Sequence, residues 1–163
     1  PPRPPPPPLD NLGRQRQMCI RVSKQVILIS FFNEDIKFQI DSLDTITLWI
    51  QSVISQENFI TGDINYIFTS DAYLISINRQ YLDHDYYTDI ITFDQSTDPL
   101  TISGDIYISI DRVRANAIKY QQPFESELKR VLVHGILHLI GYGDLTPEEK
   151  SEMRKKEEAY LSL

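Results

Sequence analysis

Two β-type runs stand almost back to back: IITFD at 90–94 and TISGDIYISI at 101–110, with only QSTDPL between them. Both are rich in β-branched and aromatic residues and are bounded by turn formers, so each reads as a strand. No helix fits in that gap, whereas a doubly wound parallel sheet puts a helical crossover between successive strands. Helical patterns fill much of the rest. The chain is therefore expected to be α+β.

The remaining elements read from hydrophobic periodicity. VILISFF (26–32) and INYIFTS (64–70) are strand candidates, and Leu43 to Phe59 carries helix-spaced Leu43, Ile46, Ile50, Val53 and Ile54. Asp71 is expected to cap a helix through AYLISINRQYL, with Ser70 as the competing cap. Further helices are expected at VRANAIKY and from Phe124 to about Ile140, separated by Pro123. Thr146-Pro147-Glu148-Glu149 starts a last, charged helix that turns Met153, Tyr160 and Leu161 inward. There is no internal repeat.

With 163 residues, 41% of them hydrophobic, the chain suits one domain with a core that needs no metal to hold it. A formal charge of −7 argues against broad, non-specific nucleic-acid binding, DNA included, but leaves room for a local basic groove. A single cysteine, Cys19, excludes an internal disulfide framework and a thiolate zinc cage, and suits a reducing compartment. No apolar run is long enough to span a bilayer. Residues 1–24 are a Pro-rich head, expected to be disordered and left out of the fold; they read as an extension upstream of Met18 or as an SH3-type ligand. Arg14, Arg16, Arg21 and Lys24 before VILISFF resemble a signal peptide superficially. The apolar run is short, however, and Asn33-Glu34-Asp35 offers no cleavage site. The expectation is a cytoplasmic protein whose single domain spans 25–163.

The segment HGILHLIGYGD (134–144) carries the chemistry. Residues four apart stack on one helix face, so His134 and His138 can point ring nitrogens at one ion. Gly141 suits a left-handed helix end, after which the chain can return Asp144 beside the histidines. Two imidazoles and a carboxylate leave a position open on a zinc-like ion, as catalytic rather than structural sites do. The competing reading makes both histidines ordinary helix residues and Asp144 the cap of the next helix, but Thr146 is the better cap. The spacing equals that of the metzincin pattern H-E-x-x-H-x-x-G-x-x-H. Gly135 stands where those peptidases keep their general base, which argues against peptidase chemistry, and the catalytic base remains unassigned.

HGILHLIGYGD closely resembles the H-G-x-L-H-L-x-G-Y-D-H segment of the YbeY family, metal-dependent endoribonucleases of ribosomal RNA maturation. Three further pieces match in order: Asn78-x-x-Tyr81, Thr88-Asp89-Ile90-Ile91-Thr92-Phe93 and Gly104-Asp105-Ile106. The resemblance runs from about Val26 onward. It implies a single domain with a small mixed sheet packed by helices, and one zinc ion held at His134 and His138 in a zincin-like site. Asp144 is the expected third ligand. The implied activity is a zinc-dependent, single-strand-specific endoribonuclease in ribosome biogenesis, with ribosomal RNA and small-subunit components as partners.

Two departures bear on that activity. Gly143-Asp144 replaces the family's Asp-His, turning the third ligand from imidazole to carboxylate. Leu82 stands where the pattern N-x-x-Y-R places an arginine associated with activity. Leu82 gives weight to the alternative of a non-catalytic, ribosome-associated maturation factor with a structural metal.

Other polar residues admit a functional and a plain reading. Arg79, Thr88 and Asp89 are substrate-groove candidates, although Arg79 can be a solvating arginine and Asp89 a loop terminator. His84, Asp85 and Asp89 could form a second metal cluster or simply a solvated turn. Arg112, Arg114, Lys119, Lys129 and Arg130 outnumber Asp111, Glu125 and Glu127, which suits one wall of an RNA groove or ordinary helix solvation. Tyr86, Tyr87 and Tyr142 could stack on unpaired bases or belong to the core.

Overall fold

The computed structural model describes residues 29–82 and 87–163. The head, the start of VILISFF, and His84, Asp85 and Tyr86 lie outside the described residues, as does the side chain of Leu82. The elements run β1 (Ile29–Asn33), α1 (Leu43–Gln56), β2 (Ile60–Thr69), α2 (Asp71–Leu82), β3 (Ile90–Asp94), β4 (Thr101–Ser109), α3 (Ile110–Lys119), α4 (Phe124–Ile140) and α5 (Pro147–Leu161).

The fold is α+β, a single domain around one four-stranded mixed sheet of order β1-β2-β4-β3. β1 pairs parallel to β2, with Phe31 opposite Tyr66, and β2 parallel to β4, with Tyr66 opposite Ile106. β3 runs antiparallel to β4, with Thr92 opposite Ile106, which realises the close strand pair that the short QSTDPL link demands.

Alternation along the strands sends Ile64, Tyr66, Phe68, Ile106 and Ile108 to one face, where α1, α3, α4 and α5 bury their apolar stripes. Ile67, Tyr107, Ile91 and Phe93 face the other side, where α2 contributes Leu74 and Ile77. Tyr66 crosses the main core and donates its hydroxyl to the Leu132 carbonyl of α4 at 3.0 Å. Complete burial pushes its phenol pKa well up, so it remains a neutral donor. Among the described residues, no helix is long and apolar enough to cross a membrane.

Three local expectations are corrected. Ser70, not Asp71, caps α2: its Oγ accepts from the Tyr73 amide at 3.2 Å. The Asp71 carboxylate instead accepts from Ser109 Oγ at 2.5 Å and Arg112 Nη2 at 2.6 Å, stronger partners than an exposed amide offers. The first helix stops at Gln56, because Asn58 turns left-handed at φ 63° and Phe59 leads into a longer β2. On α5, Met153 and Tyr160 are buried, but Leu161 is exposed where the helix ends.

Candidate metal centre

α4 packs against β3 and β4 of the sheet and against its helical neighbours α3 and α5. Leu128, Val131, Leu132 and Ile136 are buried in the main core. A side chain at Gly135 would meet Ile106 Cγ2 and Ile90 Cδ1 at 2.8 Å, so this glycine lets the helix lie close on β3 and β4. His134 and His138 project from a different face, with their Nε2 atoms 2.9 Å apart.

Gly141 ends α4 at φ 114°. Its amide reaches the His138 carbonyl at 3.1 Å and the Tyr142 amide reaches Leu137 at 3.0 Å, the paired bonds of a Schellman turn. The reversal returns Asp144, whose Oδ2 lies 3.7 Å from His134 Nε2 and 3.6 Å from His138 Nε2. Ligand atoms of all three residues fall within 4.8 Å of one another. Asp144 is free for this place because Thr146 caps α5. Its hydroxyl accepts from the Glu149 amide at 3.2 Å, and Glu149 accepts in return from the Thr146 amide at 3.0 Å.

The outer ring nitrogens decide what the inner ones present. His134 Nδ1 lies 2.5 Å from Glu157 Oε1, and His138 Nδ1 lies 3.0 Å from the Tyr142 carbonyl oxygen. A carboxylate and a carbonyl only accept, so both Nδ1 atoms carry the proton. In the neutral rings, two Nε2 lone pairs then face each other across 2.9 Å with a carboxylate oxygen beside them. That arrangement is repulsive unless a proton or a cation lies between. Burial lowers the pKa of His138 and the neighbouring His134 lowers it further, although Asp144 pulls the other way. A tetrahedral site with bonds of about 2.0–2.1 Å has edges of about 3.3–3.4 Å, which fall between the 2.9 Å of the two nitrogens and the 3.6 and 3.7 Å to the carboxylate oxygen. The three residues can hold a metal ion.

Sequence reasoning missed the layer behind these ligands. Glu157 is buried on α5 and Glu127 is buried on α4. Arg130 joins them, with Nη2 2.7 Å from Glu127 Oε1, Nη1 3.4 Å from Glu157 Oε1, and Nη2 3.1 Å from Asp89 Oδ2. The acids hold the guanidinium pKa even higher than usual despite burial. The one signal available was Glu157 on the stripe Met153, Glu157, Tyr160, an acid at core spacing. Behind the turn, Glu57 accepts from Tyr142 Oη at 2.8 Å and Lys156 Nζ at 2.7 Å, and also from the Tyr160 hydroxyl.

The other candidates fall in different places. Asp89 pairs with Arg130, and its charge acts on His138. Thr88 donates its hydroxyl to the Ile90 carbonyl at 3.2 Å. Arg79 is exposed on α2, across the sheet from the histidine helix. Of the proposed groove cations, Arg112 is held by Asp71 and Arg130 by three carboxylates, which removes much of the local positive excess. Tyr142 is committed to Glu57, whereas Tyr87 is 57% exposed beneath Arg112, whose guanidinium carbon lies 4.8 Å from the ring centroid.

A mixed sheet flanked by a helix with two histidines on one face, and a carboxylate returned to them by a left-handed glycine, defines an α+β protein with a zincin-like candidate metal centre. The chain belongs to the endoribonuclease YbeY family, whose model matches residues 29–163. It is 51% identical over 135 residues to the endoribonuclease YbeY of Cytophaga hutchinsonii, covering 83% of this chain and 94% of that one. The protein of the same name from Flavobacterium psychrophilum is 51% identical over 132 residues, covering 81% of this chain and 94% of that one. A solution structure from Thermotoga maritima superposes with a TM-score of 0.60 at 27% identity, covering 83% of this chain and 87% of that one.

Proposed function

We propose that this protein is a zinc-dependent endoribonuclease that cleaves single-stranded RNA during ribosomal RNA maturation. Its partners would be ribosomal RNA and components of the small subunit, met in the cytoplasm. The observation that carries the metal reading is the pair of opposed Nε2 atoms beside Asp144, each imidazole fixed by an acceptor on its far nitrogen. Imidazole nitrogens with one carboxylate suit zinc better than calcium or magnesium, which prefer all-oxygen sites. Family membership supports the RNA reading, since the relatives carry the name endoribonuclease.

A bound zinc ion would supply Lewis acidity, acidifying water and countering charge on a phosphoryl oxygen. The chain's own contribution is placement. His134 and His138 direct their lone pairs to one point, and Asp144 contributes one negative charge where the family pattern has a neutral imidazole. No base comes from position 135, whose side chain would point into Ile106 and Ile90.

A second reading, a non-catalytic maturation factor with a structural metal, draws support from Leu82 in place of the family arginine. It also gains from Arg112 and Arg130 being occupied by carboxylates. Zinc-loaded protein incubated with single-stranded RNA, duplex RNA and casein separates the readings. Cleavage of single-stranded RNA that His134→Ala abolishes supports the nuclease, intact RNA supports the factor, and cut casein overturns both.

A further inference from the structure

We propose that Glu157 is a positioning residue for the candidate metal centre, holding His134 in the one tautomer that offers its inner nitrogen as a ligand. The inference rests on the metal reading of His134, His138 and Asp144, and concerns the layer behind them. Glu157 Oε1 lies 2.5 Å from His134 Nδ1, much closer than the 3.4 Å to Arg130 Nη1. The histidine is thus the nearer of these two partners. Glu157 is only 5% exposed, and a carboxylate so far from water needs good partners to remain charged.

The two ligand histidines are held by different means. His138 donates to the Tyr142 carbonyl, a backbone acceptor supplied by the Schellman turn of its own helix. His134 has a side-chain acceptor from another helix, twenty-three positions along the chain. Its geometry therefore depends on how α5 docks. Arg130 braces that docking by reaching Glu127 on its own helix, Glu157 on α5 and Asp89 before β3. A carboxylate behind a metal-bound imidazole fixes its tautomer and raises its basicity, and losing such a partner costs roughly 10–100-fold in metal affinity.

Glu127 separates positioning from general structure. It is as deeply buried as Glu157 and binds the same arginine more closely, at 2.7 Å. The experiment compares wild type, Glu157→Ala, Glu157→Gln and Glu127→Gln, with zinc affinity read by competition against a chromophoric chelator. Imidazole nitrogen shifts of the metal-free proteins are recorded at alkaline pH, and thermal melts check the fold. Glu157→Ala is expected to mix the His134 tautomers while leaving His138 unchanged, and to weaken zinc binding up to about 100-fold. Glu157→Gln keeps an acceptor oxygen but no charge, so it should keep the tautomer and lose roughly tenfold. Glu127→Gln should bind zinc within about twofold of wild type, below the range of a lost outer partner.

An unchanged His134 tautomer and zinc affinity in a folded Glu157→Ala overturn the proposal, as does a loss in Glu127→Gln equal to that in Glu157→Gln. If Glu157→Ala does not fold, the comparison of the two glutamine variants decides. A wild type that binds no zinc, yet whose His134 tautomer shifts in Glu157→Ala, overturns the metal reading and leaves the positioning of His134 supported.

Discussion

Glu57, at the end of α1, accepts the hydroxyl hydrogen of Tyr142, eighty-five residues later in the turn between α4 and α5, at 2.8 Å. The same tyrosine offers its carbonyl to His138 Nδ1 at 3.0 Å. One residue therefore ties a remote helix to the orientation of a candidate ligand. Lys156 and Tyr160 complete the knot on Glu57 from α5, so the end of α1, the α4–α5 turn and α5 meet at one carboxylate.

Burial alone would raise the pKa of Glu57, but hydrogen bonds from Lys156, Tyr160 and Tyr142 outweigh it and hold the carboxyl below its ordinary 4.5. A carboxyl with a lower pKa folded than unfolded stabilises the fold at pH values above 4.5 and loses that contribution as pH falls through the folded value. Glu57→Gln should cost about 1.5–3 kcal/mol near neutrality, the range for hydrogen bonds to a charged group. It should also flatten the loss of stability below pH 4.5, so thermal melts across the acid range would run closer to parallel with the baseline. A variant whose acid limb matches wild type would mean that other carboxylates set it.

Position 135 tests why a base is missing. Gly135→Ala places a methyl group 2.8 Å from Ile106 and Ile90. Overpacking of about 1–3 kcal/mol set against a helix gain of about 1 kcal/mol leaves a net loss of up to about 2 kcal/mol by chemical denaturation. Gly135→Glu, which supplies the metzincin glutamate while Asp144 still stands in place of the last histidine, should fold poorly and acquire no casein-cleaving activity. A well-folded, peptidase-active Gly135→Glu would overturn the packing account.

Gly141 matters for conformation rather than space, since a Cβ there meets nothing within 4 Å but φ is 114°. Gly141→Val should lose about 1–3 kcal/mol from backbone strain. Gly141→Asn should lose less, because asparagine tolerates positive φ better than a β-branched residue. Urea melts of the two variants give the ordering.

Asp144 stands where the resemblance of HGILHLIGYGD to the family segment leads one to expect a histidine. Asp144→Ala should keep its stability within about 0.5 kcal/mol, as expected for a half-exposed side chain outside the core. Its bound zinc should fall sharply. Asp144→His should restore zinc and raise RNA cleavage near neutrality, because a neutral ligand leaves more charge on the ion. Metal content by mass spectrometry decides: equal zinc in wild type and Asp144→Ala would reduce the aspartate to a neighbour.

The local pattern of the chain sufficed for much of this protein. Branched and aromatic residues in runs too close for a crossover helix forced the β3–β4 pair, and the four-residue spacing of His134 and His138 put both on one helix face. Gly141 and Thr146 marked the turn that returns Asp144, because helix ends are local chemistry, settled within a few residues by φ and by orphaned backbone groups. The caps failed only where a distant partner intervened. Asp71 left its helix end for Ser109 and Arg112, which no local rule foresees. The same physics hid the layer behind the centre. Glu57 lies in an ordinary polar stretch, and Glu157 and Arg130 in ordinary charged ones. They become a ligand brace only when α1, α4, α5 and the start of β3 pack together, since a buried charge takes its partners from whatever the fold brings within reach.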